Sequence, residues 1–254
     1  MINDADKLEA SRSVQLPAPC IFEVPDELRG LKASACTPRA VSIGPLHKDD
    51  EHLREDMENH KKGYMHSLFR RTRRSDETIE ADVERAKNEC VDAMLGVVEK
   101  ARACYEASPE LRAYDDVEFA EMLILDGCFL LELFYKSREE GFDDDSIFSN
   151  RLLYLDIIRD LVLLENQIPL FVLDELFDCT LKRIKGNPSS GDVYPSLTTF
   201  ILDYFANLNI FEAIQMKKKG TSTSNCHILG LLHSCYLPSS EPPENNNEWQ
   251  HIIK

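Results

Sequence analysis

Hydrophobic residues recur with a helical period along most of the chain after residue 50. The first such face is formed by Leu53, Met57, His60, Tyr64 and Leu68. Because steps of three and four residues bring side chains onto one side of a helix, this pattern predicts a helix over residues 51–71. A second periodic stretch follows a capping serine and two acids at residues 75–77, and it predicts a helix that continues to about residue 107.

The third predicted helix, over residues 117–137, is apolar on nearly every side through its middle. A helix with this pattern is surrounded by other helices, so we expect it at the centre of the core. The same periodicity predicts four more helices, over residues 147–164, 169–185, 196–217 and 225–235. The predicted fold class is therefore all-α, a bundle-like array of about six or seven helices.

The N-terminal part of the chain follows no such period, because prolines interrupt it at Pro17, Pro19, Pro25, Pro38 and Pro45. It predicts an irregular arm with one short helix over residues 26–31. We expect a disordered polar N-terminus over residues 1–19, a single helical domain over 20–240, and a linker or truncated C-terminus over 241–254.

The charge of the chain argues against nucleic acid as a partner. The 254 residues carry 45 acids against 29 Lys and Arg, a formal net charge of −16. Binding to a phosphate backbone depends on Lys and Arg that displace counterions, so an excess of acids opposes it.

The sequence also bears on membranes and on the compartment. The longest apolar run, residues 122–135, contains Asp126 and Glu132 and is shorter than the roughly 20 apolar residues that a membrane span needs. The polar start of the chain lacks the apolar region of a secretory signal, and the eight cysteines are too sparse for a disulfide-stapled mini-domain. We expect buried, reduced thiols, no transmembrane segment and an intracellular location.

A polar triplet, Glu165-Asn166-Gln167, separates two apolar runs and is followed by Pro169. A helix usually ends before the residue that precedes a proline, and its last carbonyls then need other donors. The amides of Asn166 and Gln167 can supply them or can accept from the next helix, in whose first turn Pro169 fits. We therefore interpret the triplet as a structural joint rather than a reactive site. Glu165 lies four residues after Leu161 on the apolar side, which leaves a reactive carboxylate as the alternative.

His47 is a weak functional candidate. It follows Gly44 and Pro45 on a tight loop, but the sequence places no nucleophile or acid beside it in a recognised arrangement. The prediction is a turn in which His47 caps the following helix, with general-base chemistry as the alternative.

The sequence predicts no metal and no cofactor. Intervals of eight and six separate His52, His60 and His66, whereas two ligands on one helical face are three, four or about seven residues apart. The pair Cys226-His227 and the nearby His233 and Cys235 also lack the spacing of a structural zinc site.

Asp126 and Glu132 are acids inside the most apolar predicted helix, where an uncompensated charge is costly. We predict that Asp126 accepts hydrogen bonds from Arg159 or from loop backbone. Asp156, three residues before Arg159, is the rival partner of that arginine.

Five motifs, in order along the chain, resemble the plant family called domain of unknown function 247. They are IFEVPDELRG (21–30), AVSIGPLHKDDEHLREDMENHKKGYMHSLFRR (40–71), LILDGCFLLELFY (123–135), RDLVLLENQIPLFVLDELF (159–177) and HILGLLHSCYLPSS (227–240). Members of that family are commonly longer, and many end in a hydrophobic segment interpreted as a membrane anchor. The chain resembles their N-terminal part, so we expect it to be truncated.

The resemblance implies a plant protein that is not an enzyme. Some grass relatives are implicated in pollen self-incompatibility and others in growth or defence, and the family offers no catalytic residues. We therefore expect a protein-interaction or recognition module in the cytoplasm or on the cytoplasmic side of the plasma membrane. The alternative is an enzyme whose site is completed by a missing C-terminal half, with His47 or Glu165 as contributors.

Overall fold

The fold is a helical bundle preceded by an irregular arm. The computed structural model describes residues 16–53, 55–72, 78–105, 109–138, 145–183, 196–208 and 226–236. Its α-helices are α1 Asp26–Leu31, α2 Glu55–Arg71, α3 Ile79–Arg102, α4 Pro109–Arg112, α5 Asp116–Lys136, α6 Arg151–Asp160, α7 Leu170–Cys179, α8 Leu197–Asn207 and α9 Ile228–Tyr236. No β-strand occurs in the described ranges, where a single bridge joins Ile21 to Tyr105. The all-α, bundle-like class predicted from the sequence is confirmed.

Helix α5 is the centre of the bundle, as its apolar pattern predicts. It begins at a capping box, in which the Asp115 side chain accepts the backbone N–H of Glu118 and the Glu118 side chain accepts the backbone N–H of Asp115. Most of its residues are buried, and it packs against α2, α3, α7 and α8. A Cβ on Gly127 would lie 2.3 Å from the Leu176 side chain, so this glycine lets α7 pack closely against α5. Each fully buried Leu or Phe in such a core stabilises the fold by about 1.5–3 kcal/mol.

Several helices are shorter than the periodicity predicts. The predicted 51–71 helix begins at Glu55, and the predicted 75–107 helix is Ile79–Arg102, with Thr78 as its capping side chain. The predicted 147–164 helix is Arg151–Asp160, because Asn150 caps it and the chain turns at Leu161. The predicted helix at 169–185 ends at Cys179 and is followed by a 3-10 turn.

Other predictions fall outside the described residues. They include most of the disordered N-terminus, the cap at 75–77, the far end of the 196–217 helix, and the linker at 241–254. The domain boundaries therefore stay predictions. Within the described part of the chain, every helix is too short or too polar to span a bilayer.

Residues 39–47 form a buried segment that is neither helix nor strand over most of its length. Ala40, Val41 and Ile43 are almost completely buried in it, although the described residues contain no neighbouring strand to accept their N–H groups. Buried backbone groups need partners, so side chains of the bundle must satisfy this segment. The polar residues that do so define the candidate site.

Candidate functional site

Asp160, the last residue of α6, binds three consecutive N–H groups of the buried 39–47 segment. Its Oδ2 accepts from the nitrogens of Arg39, Ala40 and Val41 at 2.9, 2.7 and 3.1 Å, and its Oδ1 accepts from Arg159 at 2.8 Å. Burial raises the pKa of Asp160, and the three backbone hydrogen bonds counteract only part of that rise. The carboxylate therefore acts in place of a neighbouring strand.

The amides of the polar triplet bind the same segment and the end of α6. Asn166 donates to the carbonyls of Val41 and Asp160 at 2.9 and 3.0 Å and accepts from the Ile43 nitrogen at 2.7 Å. Every hydrogen-bonding group of the Asn166 side chain is thus used within the protein. Substituting another residue would leave a buried backbone group without its partner.

Gln167 joins α6 to α9. Its Nε2 donates to the carbonyls of Leu161 and Leu163 at 2.9 and 2.8 Å, and its Oε1 accepts from the Leu229 nitrogen at 3.1 Å. Pro169 lies one residue before α7 rather than in its first turn, since α7 begins at Leu170. The two amides therefore donate to the carbonyls at the end of α6, as expected. The helix whose backbone N–H donates to the triplet is α9 rather than α7.

Gly44 brings the buried segment close to Gln167. Its φ of 80° is the left-handed backbone that glycine adopts easily, and a Cβ at this position would lie 2.6 Å from the Gln167 carbonyl oxygen. The Gly44 nitrogen donates to Asp126 Oδ2 at 2.8 Å. The loop backbone is therefore one partner of Asp126, as the sequence predicts.

The prediction that Arg159 binds Asp126 is wrong. Lys61 of α2, not Arg159, pairs with Asp126, with 2.7 Å between Nζ and Oδ1 and both side chains completely buried. Arg159 instead binds Asp160 and the carbonyls of Ser34 and Thr37, because it faces the arm from the end of α6. Asp156 is not its partner either, since Asp156 accepts from Arg39.

The sequence carries a signal for Lys61 that the prediction missed. Lys61 lies four residues after Met57 and three before Tyr64, on the apolar face of α2. A lysine on that face needs a buried acid. The second buried acid of α5, Glu132, binds the guanidinium of Arg71, which also belongs to α2, through three hydrogen bonds of 2.9–3.1 Å.

Glu165 is the centre of a second polar cluster at the arm. Its Oε1 accepts from the Val24 nitrogen and from the Arg29 guanidinium, and its Oε2 lies 3.2 Å from His47 Nε2. The other ring nitrogen of His47 lies 2.7 Å from Asp50 Oδ2. The structure therefore places two acids beside His47, which the sequence did not indicate.

The charges of this cluster stabilise each other. Burial alone would lower the pKa of His47, but its contacts with Glu165 and Asp50 outweigh burial and raise that pKa above the ordinary value. Burial alone would raise the pKa of Glu165, but the hydrogen bonds from His47, Val24 and Arg29 lower it. The contacts therefore favour the imidazolium form of His47, which bridges two carboxylates.

The pH dependence of unfolding should report this bridge. The ordinary pKa values are 6.5 for His47 and 4.5 for Glu165, the first raised and the second lowered by folding. The His47 contribution is therefore complete below pH 6.5 and is lost as pH rises through its folded pKa, while that of Glu165 is lost only as pH falls below 4.5. Above pH 6.5 we expect wild-type stability to fall more steeply than that of His47→Gln, by at most about 1.4 kcal/mol per pH unit.

Urea unfolding at several pH values measures this difference. His66→Gln is the matched control, because His66 is an exposed residue of α2 and should leave the wild-type pH dependence unchanged. Parallel curves for wild type and His47→Gln would show that His47 is not held in the charged form.

An open cleft of about 730 Å³ lies beside this cluster. It is lined by Glu23, Arg29, Thr37, Leu46, His47, Asp49, Asp50, Glu51, His52 and Glu165. Five of these side chains are acids, and Arg29 and His47 are both already bound to Glu165. The surface of the cleft is therefore predominantly negative. Among the described residues no group of three or more His, Cys, Asp or Glu is arranged to hold a metal ion.

Comparisons with known proteins give one family. The family model DUF247, described as a plant protein of unknown function, matches residues 21–252. A UPF0481 protein of Arabidopsis thaliana is 33% identical over 222 residues, which are 87% of this chain and 42% of the relative. A second UPF0481 protein of the same plant is 28% identical over 225 residues, 88% of this chain and 39% of the relative. The chain thus spans about two fifths of the length of these relatives, and no solved structure matches it.

Proposed function

Since the chain belongs to the plant family DUF247, whose function is unknown, we propose from the geometry of its cleft that it is a non-enzymatic protein-recognition module. Its occupant is a partner segment that carries both basic and apolar side chains. The observation that carries the proposal is the acidic cleft beside Glu165, together with the exposed apolar residues of the arm that supplies part of its lining.

The cleft side chains that could take part in catalysis are bound to each other, which favours recognition over catalysis. Both ring nitrogens of His47 face carboxylates, so the imidazolium has no lone pair to take a proton from a substrate. Both oxygens of Glu165 accept hydrogen bonds within the protein. A general base needs hydrogen-bond reach to the proton that it removes, and this cluster leaves no such position open.

The charge of the cleft selects the class of partner. Asp49 and Glu51 add negative charge to the lining, whereas the positive charge of Arg29 is bound to Glu165. Complementary charge steers association and favours a partner rich in Lys or Arg. With a formal net charge of −16, a second copy of the chain is a poor occupant.

The arm also exposes apolar side chains close in sequence to residues that line the cleft. Phe22, Leu28 and Leu31 are 43%, 57% and 82% exposed, and they flank the two arm groups, Val24 and Arg29, that bind Glu165. Apolar anchors inside a polar rim are typical of protein interfaces. The arm therefore supplies anchors while the cleft supplies charge.

The biological setting of this recognition is part of the proposal. The family resemblance suggests self-incompatibility or growth and defence signalling, in the cytoplasm or at the cytoplasmic side of the plasma membrane. Full-length relatives would bring the module to a membrane, and their longer chains would carry the rest of the activity.

A synthetic amphipathic peptide of Arg and Leu tests the cleft, with binding followed by fluorescence anisotropy. Glu23→Gln/Glu51→Gln removes two exposed acids from the lining and should weaken binding about fivefold, at about 0.5 kcal/mol per charge. The matched control is Glu84→Gln/Glu99→Gln, which removes two exposed acids from α3 and leaves the same net charge. Equal losses in the two double variants would mean that the peptide senses total charge, and the cleft would not be the recognition site.

A further inference from the structure

Three cysteine thiols from distant parts of the chain meet where the arm crosses the end of α3. The thiol of Cys20 interacts electrostatically with the thiols of Cys104 and Cys226. Cys20 belongs to the arm, Cys104 follows α3, and Cys226 precedes α9. All eight cysteines lie in the described residues, and none of them forms a disulfide.

The backbone holds Cys20 and Cys104 side by side. The nitrogens of Cys20 and Ile21 both donate to the Cys104 carbonyl, at 2.7 and 2.9 Å, and Ile21 forms a bridge with Tyr105. The position of Cys20 relative to the bundle is therefore fixed before any covalent bond forms.

This pairing suits a disulfide. A backbone hydrogen bond joins the two cysteines directly, which keeps their Cα atoms close, and disulfide-bonded cysteines have Cα atoms about 4.4–6.8 Å apart. The two thiols also interact with each other electrostatically, so they lie on the same side of this backbone contact.

A second thiol cluster in the same molecule differs from this one in its access to solvent. Cys90 is in side-chain contact with Cys128 and Cys179, and all three are buried between α3, α5 and α7. Cys20, in contrast, is partly exposed, so a small oxidant dissolved in water can reach its cluster. Oxidation of thiols depends on such access.

We propose that Cys20 and Cys104 form a reversible disulfide when the protein meets hydrogen peroxide. The first thiolate of the pair attacks the peroxide, which breaks the O–O bond, forms a sulfenic acid and releases hydroxide that becomes water. The second thiol then attacks the sulfenic sulfur, breaks the S–O bond and releases a second water. Two thiols and one peroxide thus give one disulfide and two waters.

The disulfide would tie the arm covalently to the bundle. Cys20 lies two residues before Phe22, so the bond fixes the start of the segment that borders the cleft. The inference concerns the arm and holds whatever the cleft binds. A thiol reductant would reverse the bond by exchange.

Peptide mapping by mass spectrometry tests the proposal on the whole chain, after treatment with hydrogen peroxide and capping of remaining thiols. We expect a peptide linking Cys20 to Cys104 in wild type and in Cys226→Ser, and its absence in Cys104→Ser. Cys235→Ser, outside the cluster, is the matched control and should behave as wild type. The midpoint temperature of thermal unfolding should rise by about 5–10 °C on oxidation and return to its original value after dithiothreitol.

Two results would overturn the proposal. One is a folded, peroxide-treated wild type without an intramolecular link at Cys20, and the other is a predominant link from Cys20 to Cys226. Both results are measured on the wild-type protein, so they can be interpreted even if a variant fails to fold.

Discussion

Replacing Lys61 with Met is expected to lower the free energy of unfolding by about 3–5 kcal/mol. The Lys61 side chain is completely buried, and its Nζ lies 2.7 Å from Asp126 Oδ1 and 2.8 Å from Glu58 Oε1. Burial lowers the pKa of Lys61, but the two acids outweigh burial and raise it, so the pair is ionic. Without the lysine, Asp126 is a buried charge bound only by the Gly44 nitrogen among its observed partners.

Urea unfolding followed by circular dichroism measures this loss. The matched control is Lys62→Met, because Lys62 is the exposed neighbour of Lys61 on α2 and its replacement should change stability by no more than about 0.5 kcal/mol. Adding Asp126→Asn to Lys61→Met removes the unpaired charge and should restore part of the loss. If Lys61→Met behaves like Lys62→Met, the buried pair does not stabilise the fold in solution.

Replacing Asp160 with Ala is expected to cost about 3 kcal/mol or more, because it leaves the N–H groups of Arg39, Ala40 and Val41 without their acceptor. Each buried unsatisfied group costs about 1–3 kcal/mol, and relaxation of the segment recovers part of the sum. Asp160→Asn should cost less, because the amide keeps an acceptor oxygen and avoids the burial of charge that raises the pKa of Asp160.

The control for Asp160→Ala is Asp156→Ala, on the same helix. The Asp156 side chain is 41% exposed and pairs with the Arg39 guanidinium at 3.3 Å, a contact worth about 0–1 kcal/mol. The same unfolding experiment ranks the three variants. Comparable losses for Asp160→Ala and Asp156→Ala would contradict a structural role for the three backbone hydrogen bonds.

Both predictions concern contacts that local sequence cannot reveal. Helical periodicity predicts α5 within one residue at each end, because the pattern that defines the helix is local. The 39–47 segment is held by Asp126, Asp160 and Asn166, each of which is 82–125 residues away along the chain from the groups that it binds. No local pattern encodes such partners, so the segment appears in the sequence only as an irregular, proline-rich arm.

The contacts of the candidate site are likewise not encoded in local sequence. The triplet at 165–167 identifies a helix end, since Pro169 and two amides carry that information locally. That Glu165 meets His47 and Arg29 follows from the path of the arm across α6 and α7, which periodicity does not describe. The cleft, assembled from residues 23–52 and Glu165, could therefore not be predicted from spacing.

A buried polar network of this kind fixes one arrangement of the arm, because each misplaced partner leaves an unsatisfied group in the core. Recognition would benefit from that order, since a preformed surface loses less entropy when it binds. The network at Asp126, Asp160 and Asn166 thus connects the core of the bundle to the surface that we propose for binding.

Native-state hydrogen exchange of the Ala40, Val41, Ile43 and Gly44 amides tests most directly whether this network holds the segment in place. Each of these nitrogens donates to a side chain of the bundle at 2.7–3.1 Å. We predict that they exchange as slowly as the amides of α5, because both open only when the core opens. Exchange as fast as that of the exposed Asp49 and Glu51 would show that the segment detaches on its own, and the polar network would not be what orders the arm.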